Sequence, residues 1–527
     1  MEITKKPFQE QELEQLVPLD NCANWDEMGC FKTSTVLWWL EEKFKHKAYE
    51  VDSDGVAEQT VVSEKAPKVL VITTRSGKGT YWLLTPQVHP NWELFNIQRK
   101  KVTLVIDDME LPVDEIPLNG NHPMLFVAHY DVFTERKPRK KAIDKAAKKE
   151  VTEESNPLLE QMIQLHGKQD QGLVDELLKI EWDAVVIDEA HRIKGRKTGW
   201  TKNIKKLKTK RKQVMTGTGF INRPDEIWSL LHFLEPRRFT SYWRFRERYC
   251  DEEVDWSGFR KIKGIKPDTE QEFKELIRSF GPRHTKRDVF PNLPEPIFSP
   301  IEVELNATQL SMYEAIRDEL YALDQQGLPI LAPNVLSALQ RLRQICVATP
   351  EVVRDYYDPE EGRRRQEIKL VEPSSKLDAL MEIVEGLEWD DERRDQVVVF
   401  SNFKDPIELA KARFDKAGIS YIHMQQSDND RKRYEKWSIE FPKREKQVFI
   451  CTLQLGSESI SLTSATTCVF LDRSWSPKDN EQGISRVWRP GQEYPANIIH
   501  INAKDTVDER VFRVNEIKKS WFTQIFG

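Results

Sequence analysis

The sequence predicts an α/β protein with two parallel-sheet lobes and helical insertions between them. Short apolar runs rich in β-branched residues alternate with helical stretches in each half of the chain, as a parallel sheet with crossover helices requires. The chain has 527 residues, whereas a single hydrophobic core stops growing at about 250–300 residues. We therefore expect two separate cores, one in each half.

The predicted strands are the apolar runs of the two halves, four in each. Two helices of the second half are predicted at 405–417 and 507–523. The strands are KVLVITT (68–74), MLFVAHY (124–130), DAVVID (183–188), QVMTG (213–217), QVVVFSN (396–402), SYIHM (420–424), QVFICT (447–452) and TCVFLD (467–472).

The segment between the two halves, residues 225–372, is predicted to be mainly helical. Prolines interrupt it at PNLPEP (291–296) and near Pro329 and Pro333, where helices are expected to end. The predicted domains are a first lobe at 1–240, helical protrusions and a linker at 241–372, and a second lobe at 373–527.

Composition excludes several classes of protein. Hydrophobic residues make up 39% and charged residues 31% of the chain, enough for packed cores and too apolar for a disordered chain. No stretch approaches the ~20 apolar residues of a membrane span, and the N-terminus has no signal-peptide core. The six cysteines form no C-x-x-C pair, so no zinc site or disulfide framework is indicated. We expect a cytoplasmic or nucleoid-associated protein that is not secreted.

Two basic runs stand out against the formal net charge of −6. Residues 136–150 carry eight Lys or Arg against two acids, and residues 192–212 carry eleven and no acid. Such runs are either solvated faces and mobile loops or nucleic-acid contacts, and the runs alone favour neither. Both lie next to a candidate catalytic motif.

The first of these motifs is DEMGCFKT (26–33), which places a Lys-Thr pair at the start of an apolar helix. A helix N-terminus offers free N–H groups to phosphate, Lys32 could reach the β- and γ-phosphates, and the Thr33 hydroxyl could ligate Mg²⁺. A Walker pattern would have Gly at positions 26 and 31, where this chain has Asp26 and Phe31. Taken alone, the segment also fits an ordinary capped helix.

The second motif, DAVVIDEAH (183–191), ends an apolar strand in two acids. At that position Asp188 can hold Mg²⁺ while Glu189 orients and deprotonates an attacking water. A structural acidic turn is the alternative, although Asp-Glu-Ala-His behind an apolar run is seldom accidental.

The third motif is QGISRVWRPGQ (482–492), in which Gln482, Arg486 and Arg489 are spaced i, i+4 and i+7. This spacing predicts one helical face on which two guanidinium groups point at a shared anion. Arginines so placed stabilise charge on a transferring phosphoryl group. A solvated basic face is the alternative, but the three motifs together favour a nucleotide site.

Together these segments resemble a Swi/Snf-type member of the helicase superfamily that carries DEAD/H-like motifs. PFQ (7–9) resembles the adenine-reading Q motif, which makes Gln9 the expected base contact. DEMGCFKT resembles the family's DEMGLGKT, with Phe31 as a departure, and QGISRVWRPGQ matches Q-A-x-x-R-x-x-R-x-G-Q except at Gly483. The nucleotide-binding residues implied by the resemblance are Gln9, Asp26, Glu27, Met28, Gly29, Cys30, Phe31, Lys32, Thr33 and Gln482.

Further segments of the chain extend this resemblance. MTGTG (215–219) resembles L-T-G-T-P, which implies that Thr216, Gly217 and Thr218, together with His191 of the acidic motif, couple hydrolysis to nucleic acid. RHTKRDVFPNLPEP (283–296) resembles the segment that links the lobes, and SSKLDALMEIV (374–384) the opening of the second lobe. In the motif at 451–477, Ser457, Ser459 and Ser461 replace two usual glycines and an asparagine.

The resemblance implies two RecA-like lobes that hydrolyse ATP with Mg²⁺ and translocate on DNA. TGT and QGISRVWRPGQ differ from the S-A-T and Q-R-x-G-R-A-G-R of DEAH-box RNA helicases, so double-stranded DNA is the expected track. We expect a monomer without membrane contact, and the compact chain suggests a viral or phage member acting in a host cytoplasm. An RNA-dependent helicase and a degenerate nucleotide-binding DNA clamp without turnover remain the alternatives.

Overall fold

The described residues form two compact units. The computed structural model describes residues 4–44, 66–98, 101–106, 109–113, 116, 122–134, 173–217, 223–254, 258, 260–331, 334–358, 363–390, 394–456 and 460–526. The first unit is Met1–Thr285 with Trp521–Gly527, and the second is Lys286–Ser520. This division falls inside the segment 241–372 that the sequence assigns to insertions, and the boundaries of the three predicted domains stay predictions.

An eight-stranded sheet organises the first unit in the order β1-β8-β7-β2-β6-β3-β4-β5. The pairs from β1 to β3 along this order are parallel, and β4 and β5 add an antiparallel edge. The strands are β1 (Asn21–Asn24), β2 (Lys68–Thr73), β3 (Glu93–Ile97), β4 (Val102–Ile106), β5 (Met109–Val113), β6 (Met124–His129), β7 (Glu181–Ile187) and β8 (Lys208–Met215).

Side chains alternate between two cores on the faces of this sheet. Leu70 and Ile72 of β2 join one hydrophobic cluster, while Val69 and Val71 join the other, as the two-residue period of a strand requires. All six residues of β2 are buried, which explains its apolar run at Val69–Ile72. The helices of this unit are α1 (Pro7–Leu16), α2 (Lys32–Lys43), α3 (Arg75–Val88), a helix at 173–179, α4 (Gly199–Ile204), α5 (Trp228–Leu234), α6 (Tyr242–Tyr249) and α7 (Glu270–Arg278).

A second parallel sheet, β11-β21-β20-β17-β19-β18, organises the second unit, and β12 also pairs with β21. Val397 and Val399 face one core, and Val398 and Phe400 face the other. The strands are β11 (Ile297–Phe298), β12 (Ile301–Val303), β17 (Val397–Ser401), β18 (Tyr421–Met424), β19 (Val448–Thr452), β20 (Thr467–Phe470) and β21 (Asn497–Ala503).

The helices of the second unit complete the predicted α/β fold with two sheets. The predicted helix 405–417 is observed as Asp405–Ala417, and the predicted helix 507–523 as Val507–Phe526. The helices are α8 (Lys286–Val289), α9 (Ala307–Glu319), α10 (Val335–Val347), α11 (Ser375–Glu385), α12 (Asp405–Ala417), α13 (Asp430–Glu435), α14 (Leu453–Gly456), α15 (Pro477–Val487) and α16 (Val507–Phe526).

The prediction of a mainly helical segment at 225–372 is wrong in part. Besides helices, it contains three antiparallel hairpins. Val352, Tyr356, Tyr357 and Ile368 are residues that fit a pleated, half-buried surface, and a cross-strand partner stabilises them there better than a helix would. The hairpins are β9 (Cys250–Val254) with β10 (Arg260–Ile265), β13 (Tyr321–Leu323) with β14 (Pro329–Leu331), and β15 (Thr349–Asp358) with β16 (Arg363–Val371).

The structure also bears on the cysteines and on membrane-spanning helices. All six cysteines are free and buried. Among the described residues, no helix is both long enough and apolar enough to cross a bilayer.

Candidate nucleotide-binding site

The predicted phosphate loop connects the end of β1 to the start of α2. Gly29 and Phe31 both have left-handed backbone conformations, with φ of 90° and 55°. Phe31 is the N-cap of α2, and its side chain accepts no capping hydrogen bond. Because the first amide groups of a helix have no intrahelical acceptor, this end of α2 suits an anion.

Lys32 folds back over this loop. Its Nζ donates hydrogen bonds to the carbonyl oxygens of Asp26 and Glu27, each at 2.9 Å. These carbonyls satisfy the ammonium group, and phosphate oxygens would be stronger, charged acceptors.

Asp188 and Glu189 directly follow β7. Thr73 Oγ1 donates to Asp188 Oδ2 at 2.7 Å, and the Tyr130 hydroxyl donates to the Asp188 carbonyl. Burial, and then the charge of Glu189, raise the pKa of Asp188 to about 6, while the charge of Lys32 opposes this shift. Lys32 and Asp188 are therefore within electrostatic reach of each other.

Glu189 stands in a left-handed conformation, with φ of 51°. Its Oε2 lies 3.0 Å from His191 Nδ1, and His191 is buried. The imidazole can thus hold the carboxylate in a fixed orientation.

The segment after β8 packs against the phosphate loop. The Thr216 N–H donates to the Asn24 carbonyl at 3.1 Å. A Cβ on Gly217 would lie 3.2 Å from both the carbonyl oxygen of Asp26 and the nitrogen of Met28, so glycine allows this approach. Thr218 lies outside the described residues.

Gln9 of α1 is buried, and both ends of its carboxamide are engaged. Nε2 donates to Ser34 Oγ at 3.0 Å and to Thr35 Oγ1 at 2.9 Å, and Oε1 accepts from the Lys6 N–H at 3.1 Å. In this arrangement Gln9 fastens α1 to the first turns of α2, and a base contact would require some of these bonds to be exchanged.

The arginine motif lies in the second unit, and one part of its prediction is wrong. Gln482 and Arg486 lie on α15, but this helix ends at Val487, so Arg489 follows the helix and does not share its face. Pro490 explains the difference, because a proline disfavours helical conformation in the residue before it.

Both arginines nevertheless bind main-chain carbonyls on either side of residues 457–459. Arg486 Nε donates to the Gly456 carbonyl at 3.0 Å, and Arg489 Nη1 donates to the Ile460 carbonyl at 3.0 Å. Burial lowers the pKa of Arg489. Ser457 and Ser459, between these carbonyls, lie outside the described residues, whereas Ser461 is half-buried.

Of the two basic runs, the structure describes the one at 192–212. The run 136–150 lies outside the described residues, and part of the run 192–212 contributes to the fold. Lys205 Nζ lies 4.8 Å from the centre of the Trp228 ring, and burial lowers the pKa of Lys205 to about 7. Lys212 Nζ donates to the Phe233 carbonyl at 2.8 Å.

Several residues that sequence reasoning missed support the site. Thr73 and Tyr130 hold Asp188, and both lie within the last two residues of a predicted apolar strand, which was the available signal. Glu12 and His284 surround Asp26 from distant parts of the chain, and no local pattern indicated them.

Comparison with known families assigns both halves of the chain. Residues 134–350 match the SNF2-related domain, and residues 375–491 match the helicase conserved C-terminal domain. The first match includes Asp188, Glu189 and Thr216, and the second includes Arg486 and Arg489. The phosphate loop precedes both matches, so its assignment depends on its own sequence and geometry.

Known proteins resemble large parts of the chain. Human chromodomain-helicase-DNA-binding protein 7 is 26% identical over 361 residues, which are 65% of this chain and 11% of that protein. Rat chromodomain-helicase-DNA-binding protein 6 is 25% identical over 476 residues, 81% of this chain and 17% of that protein. The chain thus spans less than a fifth of the length of these two relatives.

A solved structure, the Sulfolobus solfataricus SWI2/SNF2 ATPase core in complex with dsDNA, shares 19% identity with a TM-score of 0.39, covering 100% of this chain and 93% of that one. Taken with the two matched domains, the sequence motifs identify the family. The chain belongs to the Snf2-type helicase family, with an SNF2-related domain followed by a helicase conserved C-terminal domain.

Proposed function

We propose that this protein is a DNA-stimulated ATPase that uses ATP and Mg²⁺ to translocate on double-stranded DNA. One observation carries the proposal. β1, β8 and β7 are parallel neighbours, so their carboxyl ends bring the Lys32 loop, the pair Asp188–Glu189 and the segment Thr216–Gly217 to one edge of the sheet. Ligands of open α/β sheets bind outside the carboxyl ends of the strands.

The residues at this edge fit a magnesium nucleotide. The Thr33 hydroxyl and the Asp188 carboxylate are the hard oxygen ligands that Mg²⁺ prefers, and a cation would favour the ionised form of Asp188, which burial disfavours. Bound Mg²⁺ would neutralise charge on the β- and γ-phosphates. Lys32 would exchange the carbonyls of Asp26 and Glu27 for phosphate oxygens, while the amides of the loop from Met28 to Phe31 cradle the phosphates.

The remaining roles concern the water and the transition state. Glu189, held by His191, would orient the attacking water and accept its proton. Arg486 and Arg489 would exchange the carbonyls of Gly456 and Ile460 for the γ-phosphate as charge develops there. Gln482 lies one helical turn before Arg486 on α15. Thr216 and Gly217, which contact the loop, would pass the change to the DNA track together with Thr218.

The proposal includes the properties of the track and of the whole molecule. The exposed lysines of the run 192–212 offer phosphate contacts that read no sequence. We propose that the protein acts as a monomer, in the cytoplasm or at the nucleoid.

A steady-state ATPase assay tests the proposal with duplex DNA, single-stranded RNA or no nucleic acid. We expect duplex DNA to raise the wild-type rate and Lys32→Ala to abolish it, because the ammonium group is needed to hold the β- and γ-phosphates. Lys443→Ala, which removes an exposed lysine of the second unit, is the matched control. Turnover no higher than that of Lys32→Ala would indicate a DNA clamp, and stimulation by RNA alone would indicate an RNA-dependent helicase.

A further inference from the structure

A buried polar cluster anchors the phosphate loop to the end of the first unit. Asp26 is fully buried, and its Oδ1 accepts the backbone N–H of His284 at 2.7 Å and lies 2.9 Å from His284 Nδ1. One carboxylate oxygen thus binds two groups of a residue 258 positions away. A buried carboxylate oxygen that contacts two groups of one residue holds that residue firmly in place.

Glu12 also lies close to Asp26. Ligand atoms of Glu12, Asp26 and His284 lie within 4.8 Å of one another, and Asn24 Nδ2 donates to Glu12 Oε1. Burial, and then the charge of Asp26, raise the pKa of Glu12 well above its usual range. The three side chains thus form one polar cluster beside the phosphate loop.

Main-chain hydrogen bonds run beside this cluster. Phe280 and His284 carbonyls accept the N–H groups of Ala23 at 2.7 Å and Glu27 at 2.9 Å. Main-chain hydrogen bonds therefore join the phosphate loop and the end of β1 to the segment 280–284. A movement of the loop on binding phosphate would displace His284 with it.

Two residues after His284, Lys286 is anchored to the arginine motif. Its side chain is 1% exposed, and Nζ donates to Ser485 Oγ at 2.9 Å and to the Trp488 carbonyl at 3.1 Å. Nζ also lies 4.2 Å from the centre of the Trp488 ring. Ser485 and Trp488 are the neighbours of Arg486 and Arg489 in sequence, and the division between the two units falls at Thr285/Lys286.

We propose that His284–Lys286 is a coupling segment, which transmits the state of the phosphate loop at Asp26 to the helix that carries Arg486. His284 and Lys286 are positioning residues, because neither touches a reacting atom. The inference rests on the proposed ATPase function and adds to it the connection by which nucleotide in the first unit sets the arginines of the second.

The first test separates coupling from stability in the full-length protein. His284→Ala should change the affinity for ATP by less than about twofold but lower the stimulation of turnover by duplex DNA roughly five- to tenfold, the size of a typical coupling between sites. His284→Asn should restore stimulation, because an asparagine amide can donate from near the Nδ1 position. The control is His122→Ala, which removes an exposed histidine of the same unit. Unchanged stimulation in His284→Ala would overturn the inference. It would also be overturned if His284→Ala lowered the melting temperature and the basal and stimulated rates together, and His284→Asn restored none of them.

A matched pair of buried lysines tests the other end of the segment. Lys286→Met and Lys376→Met each remove a buried lysine of the second unit, but Lys376 binds the Leu471 carbonyl and Asp508, away from the arginine motif. Both variants should melt at a lower temperature than the wild type. When rates are expressed per folded molecule, only Lys286→Met should lose the stimulation of turnover by duplex DNA. Equal stimulation per folded molecule in the two variants would contradict the coupling role.

A readout without turnover distinguishes failure of this inference from failure of the proposed function. Hydrogen exchange of residues 286–290 should slow when the wild-type protein binds ATP and Mg²⁺, and this protection should be absent in His284→Ala. A wild-type protein without ATPase activity would refute the proposed function, while the exchange result would still decide the coupling. Equal protection in wild type and His284→Ala would refute the coupling alone.

Discussion

Lys205 shows how a residue in a basic run can act against stability. Its ammonium group lies over Trp228, where burial, and then the charge of Arg196, lower its pKa to about 7. An unfolded chain would hold this proton up to a pKa of about 10.4. The cost of the buried charge is therefore fully present below pH 7 and disappears as the pH approaches the unfolded value.

Replacing Lys205 by Met should stabilise the protein at pH 7. We expect a gain of roughly 2 kcal/mol, less than the full shift implies because the side chain stays partly exposed. Thermal melting at pH 7 and pH 9.5 measures the effect, and the gain should shrink at the higher pH. Lys202→Met, at an exposed position of the same run, should change the melting temperature little at either pH. A gain in stability of Lys205→Met that is independent of pH would show that packing, and not charge burial, is responsible.

At the scale of elements, the phosphate loop departs from the family pattern at Phe31. A non-glycine residue in the left-handed region costs roughly 1–2 kcal/mol, and its Cβ hinders the approach of backbone to phosphate. The ring lies 5.0 Å from Lys6 Nζ, and this contact compensates for part of the strain.

Phe31→Gly should therefore tighten ATP binding. We expect the dissociation constant to fall about threefold, equivalent to ~0.7 kcal/mol, with little change in melting temperature because relief of strain offsets the greater freedom of the unfolded chain. Titration with a fluorescent ATP analogue measures the affinity. Phe31→Ala removes the ring but keeps Cβ and the strain, and so should bind no more tightly than wild type; equal tightening in both variants would assign the effect to the ring.

Some elements of the fold leave a clear pattern in the sequence, and others do not. The buried strands β2, β6, β7, β17, β19 and β20 each contain a run of apolar residues, and all were predicted because burial on both faces leaves that pattern. β1 is the four residues NCAN, in which no propensity favours a strand, and pairing with β8 determines its conformation. The end of α15 before Arg489 could have been predicted from Pro490, whereas the contact of His284 with Asp26 is non-local and leaves no pattern.

At the scale of the whole molecule, the proposed reaction needs both units. Lys32, Asp188 and Glu189 belong to the first unit, while Arg486 and Arg489 belong to the second. If the arginines act only as charge develops on the γ-phosphate, their loss should affect the transition state and spare the ground state.

Arg486→Ala and Arg489→Ala should accordingly bind ATP nearly as wild type does while turnover falls by about 10²–10³, the usual loss when one preorganised donor is removed. Equilibrium titration with a non-hydrolysable ATP analogue and the DNA-stimulated rate provide the two measurements. Arg513→Ala, which removes an exposed arginine of the same unit, controls for lost positive charge. Because Arg486 and Arg489 also bind the carbonyls of Gly456 and Ile460, melting curves must be measured beside the rates. A fall in turnover that follows the loss of folded protein would give these arginines a structural role. A fall in turnover at unchanged melting temperature and affinity would assign them to the transition state of a reaction carried out by both units.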